Sequence, residues 1–223
     1  MGRRPAADAT RAPVSRERAL GAALAVADTE GIDAVTMRRL ARELGVEAAS
    51  LYHHVRGKEE ILDGLVDLVS GEIPAPVAEP ADWRAVTRER ARNTRDVLRR
   101  HPWAVSLMAS RTTPGPATLR QLEAGIRPFR VAGFSVAMAA HAISAVDSYV
   151  HGFVLQEVNL PFRDESELAA MTGAIMQSFP AEDFPHLFQL TVEHVLQPGY
   201  DYGNEFGFGL EVLLDGLQSA LDR

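Results

Sequence analysis

Residues 36–62, TMRRLARELGVEAASLYHHVRGKEEIL, carry the side chains whose order points most directly to chemistry. Ala48, Leu51 and Val55 recur at helical spacing and leave Glu47, Ser50 and His54 on the opposite stripe, with Tyr52 and His53 flanking. Short or flat polar groups of this kind can approach phosphates and base edges. Arg38 and Arg42 stand one helical turn apart just upstream. Lys58 sits where a further helix begins, so its charge and that helix's first amides can share one phosphate.

A second constellation is His141, Asp147 and His151. Asp147 and His151 are one turn apart and share a helix face, and His141 lies ten residues before His151, nearly three turns away. Three readings stay open: a transition-metal site, polar anchors in a ligand pocket, or a structural polar stripe. Enzyme chemistry finds no foothold. Glycine-rich phosphate loops, a nucleophile elbow, HExxH and cysteine are all missing from the sequence. Glu182-Asp183 reads as a solvated loop pair rather than a catalytic one. No cofactor and no bound metal are expected.

These residues need elements to hold them, and nearly every segment reads as helix. Ser15 can cap a helix with Ala19, Leu20, Ala23, Leu24 and Ala27 on its apolar face, closed by Gly31. Thr36 caps a short helix bearing Met37, Leu40, Ala41 and Leu44, stopped by Gly45. A third short helix is expected from about 47 to 55, broken by Gly57, and a longer one from 58 to about 70. Isolated helices below about 12 residues are marginal, so the two short ones must pack on their neighbours. Two short helices around a tight glycine turn make a helix-turn-helix, which lays its second helix in the DNA major groove. The pattern by itself is shared with ordinary bundles, which also have glycine turns and solvated arginines.

Beyond a proline-rich linker at 71–82, helices are expected over 82–100, 103–108, about 119–129, 135–158, 165–178, 184–196 and 205–222. No strand pattern and no repeat stands out. The expectation is an all-α fold: a basic arm (1–13), a three-helix DNA-binding head (14–60), and a larger helical body (61–223) for ligand binding and dimerisation.

Composition agrees with this. The chain has 223 residues, 46% hydrophobic and 24% charged, with no cysteine, which excludes disulfides and thiolate-bound metal. Net charge is −7, yet residues 1–60 are near neutral at +1 and the rest carries −8. An acidic protein can still bind a polyanion through a locally basic face. No apolar run approaches the roughly 20 residues of a membrane span, and the first residues lack a secretory leader's apolar stretch. A cytoplasmic location without membrane contact is the expectation.

The ordered set Ala19-Leu20, Ala23-Leu24, Gly31-Ile32, Val35-Thr36, Arg38-Arg39-Leu40-Ala41, Leu44-Gly45-Val46, Leu51-Tyr52, His54-Val55 and Lys58 resembles the TetR family of bacterial transcriptional repressors. The resemblance implies that the helix carrying Leu51-Tyr52 is the recognition helix. It also implies DNA contacts from Thr36, Arg38, Ser50, Tyr52, His54 and Lys58, with Arg38 as the guanine contact. Glu47 and Ala48 join the set by place. Ala48 and Ala49 stand where the tetracycline repressors put base-reading residues, and alanine offers only apolar contact, so the operator sequence does not carry over.

The body is similar to the tetracycline-repressor branch through Gly133-Phe134-Ser135, Ala142-Ile143-Ser144-Ala145-Val146, Gly152, Val154-Leu155 and Phe206 to Glu211. That likeness implies a homodimer joined through helices 135–158 and 205–222, a palindromic double-stranded operator, and release by a small-molecule effector. Gly207, Gly209 and Gly216 independently allow another helix to approach. The branch's magnesium–tetracycline chelate is not expected, because Leu107 falls where a ligating His is implied and Gln156 where a Glu is. A greasy or planar effector suits the candidate wall: Trp103, Met108, Phe134, Met138, Tyr149, Phe153, Met171, Ile175 and Phe179, with His141, Asp147 and His151 as polar members. Such a stripe is also what a plain core looks like. The alternative function is a helical interaction or ligand-sequestering protein that binds no DNA.

Overall fold

A computed structural model describes residues 14–77, 82–178 and 181–222, and all regular structure among them is helical. The arm 1–13 and Phe179 lie outside the described residues. Helix α1 (Arg16–Glu30) starts at Ser15, whose side chain accepts from the Arg18 amide. Helix α2 (Met37–Leu44) starts at Thr36, whose hydroxyl accepts from Arg39 N at 3.1 Å. Gly45 closes α2 in the left-handed region (φ 67°, ψ 38°), which a residue with a Cβ adopts at a cost.

Helix α3 (Ala48–Leu51) is shorter than the 47–55 expected, and hydrogen-bonded turns carry the chain from Tyr52 to His54. Tyr52, His53, His54 and Val55 are weak helix formers, and Val55 is held in the core at 2% exposure. Helix α4 (Lys58–Glu72) follows Gly57. Ala19, Leu20 and Ala23 of α1, Leu40 and Leu44 of α2, Leu51 and Val55, and Ile61 and Leu65 of α4 form one core. Burying each leucine or isoleucine contributes about 2 kcal/mol, which offsets the poor intrinsic stability of α2 and α3.

The chain divides into two compact units. The first runs to Ile73 and takes in Trp103–Leu122. It therefore includes α4, α6 (Trp103–Ser110) and the first turns of α7 (Pro116–Val131). Leu107, Trp103 and Met108 pack on the head's core, and the Trp103 indole donates to Asp28 Oδ1 at 2.7 Å. Asp67 on α4 accepts from Thr118 N at 2.8 Å, capping α7 from a neighbouring helix.

The second unit comprises Pro74–Pro102 and the chain from Glu123 onward. It holds α5 (Trp83–Arg100), the rest of α7, α8 (Val136–Val158), α9 (Glu165–Gln177), α10 (Pro185–Leu190) and α11 (Glu205–Leu221). The helix expected over 184–196 changes form at Thr191, where residues 191–195 make a π-helical turn. Asp82, Ser135 and Asp164 cap α5, α8 and α9 with their side chains. Phe134 meets Trp83 and Phe129 edge-on at 5.2 and 5.3 Å between centroids, and Trp83 and Phe129 pack tilted at 5.6 Å. Ala139, Ala142, Val146 and Val150 line the buried face of α8 against Phe206, Leu210 and Leu214. At Gly209 a Cβ would stand 2.4 Å from the Tyr149 hydroxyl oxygen, so a larger residue at 209 would require the Tyr149 side chain to shift.

Candidate nucleic-acid interface and ligand-binding residues

Leu51 and Val55 are buried, and that anchoring decides what the intervening residues do. Glu47, Tyr52, His53 and His54 are exposed, with Ala48 and Ser50 half-buried beside them. The expected recognition ridge therefore stands in solvent as a set. Glu47 can accept from a cytosine amine, Ser50 can donate or accept, and the Ala48 methyl can meet a thymine methyl. Tyr52, half exposed at 52%, presents a flat ring and a hydroxyl.

On α2, Thr36, Arg38 and Arg42 are exposed. Together with Arg39 they border a cationic notch of about 270 Å³. The arginines divide by partner. Arg39 donates to Glu30 at 2.6 Å and to Glu43 at 2.6 Å, so its charge is already matched. Arg38 and Arg42 form no ion pair among the described residues and remain available to a polyanion. The Thr36 hydroxyl spends its lone pair on the α2 cap and keeps its proton for an outside acceptor.

Lys58 is exposed at the start of α4, as expected. The turn before it is held by Glu60, which accepts from Arg56 N at 2.9 Å and pairs with Arg16 at 3.1 Å. Those hydrogen bonds, the Arg56 amide first, hold the Glu60 carboxyl below its ordinary pKa. The sequence reading missed this brace; a Glu three residues into a helix that follows a glycine break was its only visible signal.

The candidate ligand wall does not assemble as one surface. Trp103 and Met108 are partly buried against the head's core in the first unit. Phe134 is a core residue at 1% exposure, and Met138 packs beside that core. Tyr149 and Phe153 meet Phe206 at 5.5 and 5.1 Å and border a shallow recess with Gly152, Gln156 and Tyr202. Met171 and Ile175 instead line a separate apolar cavity with residues of α10. The stripe in the sequence mixed core and cavity residues because both demand apolar side chains at helical spacing.

His141 is exposed, and no group of three potential ligands that could hold a metal occurs among the described residues. Asp147 has another partner: it accepts from the buried Arg90 at 2.8 Å. His151 sits near this pair, and burial lowers its pKa although Asp147 opposes the shift. The Arg90 Nε and the Thr94 hydroxyl, one turn on along α5, are buried without a partner among the described residues. A stronger clamp lies further along the same helices. Arg95 makes a two-point contact with Glu157 at 2.9 and 2.6 Å, and its guanidinium lies 4.8 Å from the Phe206 ring.

A solvent-facing polar ridge on a buried two-residue anchor, beside unmatched arginines on the preceding helix, defines a DNA-binding helix-turn-helix protein. Comparison with known proteins specifies the class. Residues 19–65 match the family described as bacterial regulatory proteins, tetR family, and residues 75–221 match the tetracyclin repressor-like C-terminal domain. The HTH-type transcriptional repressor DrrR1 of Streptomyces coeruleorubidus is 33% identical, over 97% of this chain and 82% of that protein. Tetracycline repressor protein class D of Escherichia coli is 30% identical, over 94% of this chain and 92% of that one. The TetR family protein ActR of Streptomyces coelicolor, solved in complex with actinorhodin, has a TM-score of 0.79 and 30% identity, covering 94% of this chain and 97% of that one. The chain belongs to the tetR family of bacterial regulatory proteins. It is a ligand-responsive, DNA-binding transcriptional repressor that works as a homodimer.

The residues present do not fit a magnesium–tetracycline chelate. Leu107 is buried in the first unit's hydrophobic core, and Gln156 Oε1 is taken by the Tyr202 hydroxyl at 2.7 Å. No helix among the described residues is long and apolar enough to cross a membrane.

Proposed function

We infer that this repressor reads a palindromic operator through Thr36, Arg38, Glu47, Ala48, Ser50, Tyr52, His54 and Lys58 of each subunit, and that a small apolar or aromatic effector releases it. The observation that carries the reading is the exposure of the ridge from Glu47 to His54 around buried Leu51 and Val55. Arg38 is the base-reading guanidinium, and Lys58 with the first amides of α4 takes a phosphate. The arm 1–13 adds charge to this interface. The protein acts in the cytoplasm and has no enzymatic role.

Dimerisation uses α8 and α11. Leu155, Phe208 and Val212 expose large apolar side chains on these helices, and open space surrounds the Cβ positions of Gly207 and Gly216. Gly209 serves the fold of its own subunit, since Tyr149 occupies that space. Two linked recognition helices bind a two-half-site operator without a second full loss of freedom.

Release follows from a shift of α4. Half-sites lie one helical turn apart or a multiple of it, so a changed spacing of the recognition helices lowers affinity. A coupling of about 1–3 kcal/mol changes occupancy roughly 5- to 150-fold. The ActR complex with actinorhodin supports a small-molecule effector. The test is a gel shift on the promoter region of the chain's own gene. Salt-sensitive retardation with competition by specific duplex is expected; a folded dimer with no duplex binding would favour an interaction or ligand-sequestering protein.

A further inference from the structure

His53 and His54 stand next to each other on the recognition turn, and both are exposed. The backbone beneath them is fixed. Leu51 and Val55 anchor the turn in the core at 0% and 2% exposure. The His53 amide donates to Ser50 O at 3.3 Å and the His54 amide to Leu51 O at 3.0 Å. Neither imidazole enters an ion pair or a side-chain hydrogen bond among the described residues. Imidazole is the side chain whose charge changes between about pH 5 and 8. Two per subunit make four in the homodimer, all on the ridges that face DNA.

The charged groups around this turn divide by partner. Glu47 and Tyr52 share its own ridge. On α2, Arg39 is matched by Glu30 and Glu43, which leaves Arg38 and Arg42. On α4, Glu59 pairs with Arg111 at 2.6 Å and Glu60 pairs with Arg16 of α1 at 3.1 Å, which leaves Lys58. The exposed Arg56 between the turn and α4 forms no ion pair among the described residues. Arg38, Arg42, Arg56 and Lys58 therefore outnumber Glu47, the one unmatched carboxylate on these elements. Such a surface draws phosphates in, and a phosphate within about 4–6 Å of an imidazole favours its charged form. A complex that holds more protons than its free parts becomes tighter as pH falls.

We propose that His53 and His54 form an acid-responsive part of the DNA interface: each imidazole takes up a proton as it meets a backbone phosphate, so operator affinity rises as pH drops from about 8 to about 6. This adds His53 to the contact set and rests on the ridge reading above. Repression tightens in acid, and the effector then has a larger binding free energy to overcome.

The test measures operator Kd by fluorescence anisotropy, with the full chain and a labelled duplex from its own promoter region. It compares about pH 8 with about pH 6 over several salt concentrations, and circular dichroism follows the folded state at both. The unaltered chain binds about 10- to 100-fold more tightly at the lower pH, since an imidazole favoured by about one pKa unit adds up to about 10-fold. Its slope of log Kd against log salt steepens by about 1 to 3, near one for each imidazolium seated on a phosphate. His53→Gln and His54→Gln each remove part of the acid gain, and the double variant reduces it to about 2-fold or less. Arginine at both positions is charged at either pH and gives an affinity that no longer depends on pH. His101, His141, His151, His186 and His194 remain in every variant. An acid gain that survives the double glutamine variant belongs to those residues and overturns the proposal, as does equal affinity of the unaltered chain at the two pH values. If a double variant fails to fold, the single variants and the salt slopes of the unaltered chain decide. Duplex binding without an acid gain refutes the proton uptake and spares the ridge; no duplex binding at either pH refutes the ridge itself.

Discussion

Replacing Glu157 by alanine strands the Arg95 guanidinium among aromatic rings, and the cost can be worked from the geometry. Glu157 and Arg95 side chains are only 10% and 15% exposed, and two short bonds join them. Removing one partner of such a pair costs about 3–5 kcal/mol, because the remaining charge has lost its water and its counter-ion. Arg95 keeps its faces on Phe153 and Phe206, which places the loss near the lower end. A loss of about 3 kcal/mol lowers Tm by about 6–12 °C in a chain of this size. Glu157→Gln keeps an acceptor oxygen and costs about half as much. The control is Arg84→Ala, which breaks a contact to Asp215 whose side chain is 71% exposed, and exposed pairs contribute about 0–1 kcal/mol. Urea unfolding followed by circular dichroism reads all three. If Glu157→Ala costs no more than Arg84→Ala, the clamp does not hold α5 to α8 and the reasoning is wrong.

Arg38→Ala weakens operator binding by about 1–3 kcal/mol per half-site and relaxes sequence preference. Equal weakening on every duplex in a competition gel shift would make Arg38 a phosphate contact instead. His151 titrates below its ordinary value when folded, so the unfolded chain takes up a proton first as pH falls through about 6.5. Stability is full above that pH and is lost as pH drops toward the folded-state value; His151→Gln flattens this decline, and an unchanged slope in denaturation between about pH 7 and 5 would assign it to another group. Gly209→Ala gains about 1 kcal/mol of helix propensity but drives a methyl into Tyr149, whose hydroxyl donates to Phe206 O at 2.9 Å. Overpacking of about 1–3 kcal/mol and a lost hydrogen bond win, so the variant is less stable by about 1–3 kcal/mol, and Tyr149→Phe in the same chain relieves part of it; a stabilised Gly209→Ala would show that Tyr149 moves aside freely.

The head was legible because its signals are local. Ser15 and Thr36 cap the helices their positions announced, and Gly45 takes the conformation that only its lack of a Cβ makes cheap. The recognition helix was overestimated because an apolar spacing persists through Val55, whereas the backbone leaves the helix at Tyr52. Packing at Val55 preserves the spacing without the helical bonds. The body was legible in its helices and not in its sites. Charged pairs such as Arg95–Glu157 and Arg90–Asp147 join residues far apart in sequence, and no periodicity marks them. Phe134 and Met171 read alike in a string of letters, yet one fills a core and the other borders a cavity.

Hydroxyl-radical footprinting of the chain's own promoter region, repeated over a series of salt concentrations, bears most directly on the recognition ridge. The account requires two protected patches related by a two-fold axis and about one helical turn apart, or a multiple, with affinity falling steeply as salt rises. Protection should vanish when Tyr52 and His54 are replaced by alanine in a chain that remains folded and dimeric. Unchanged protection in that variant, or none by the unaltered chain at low salt, would contradict it.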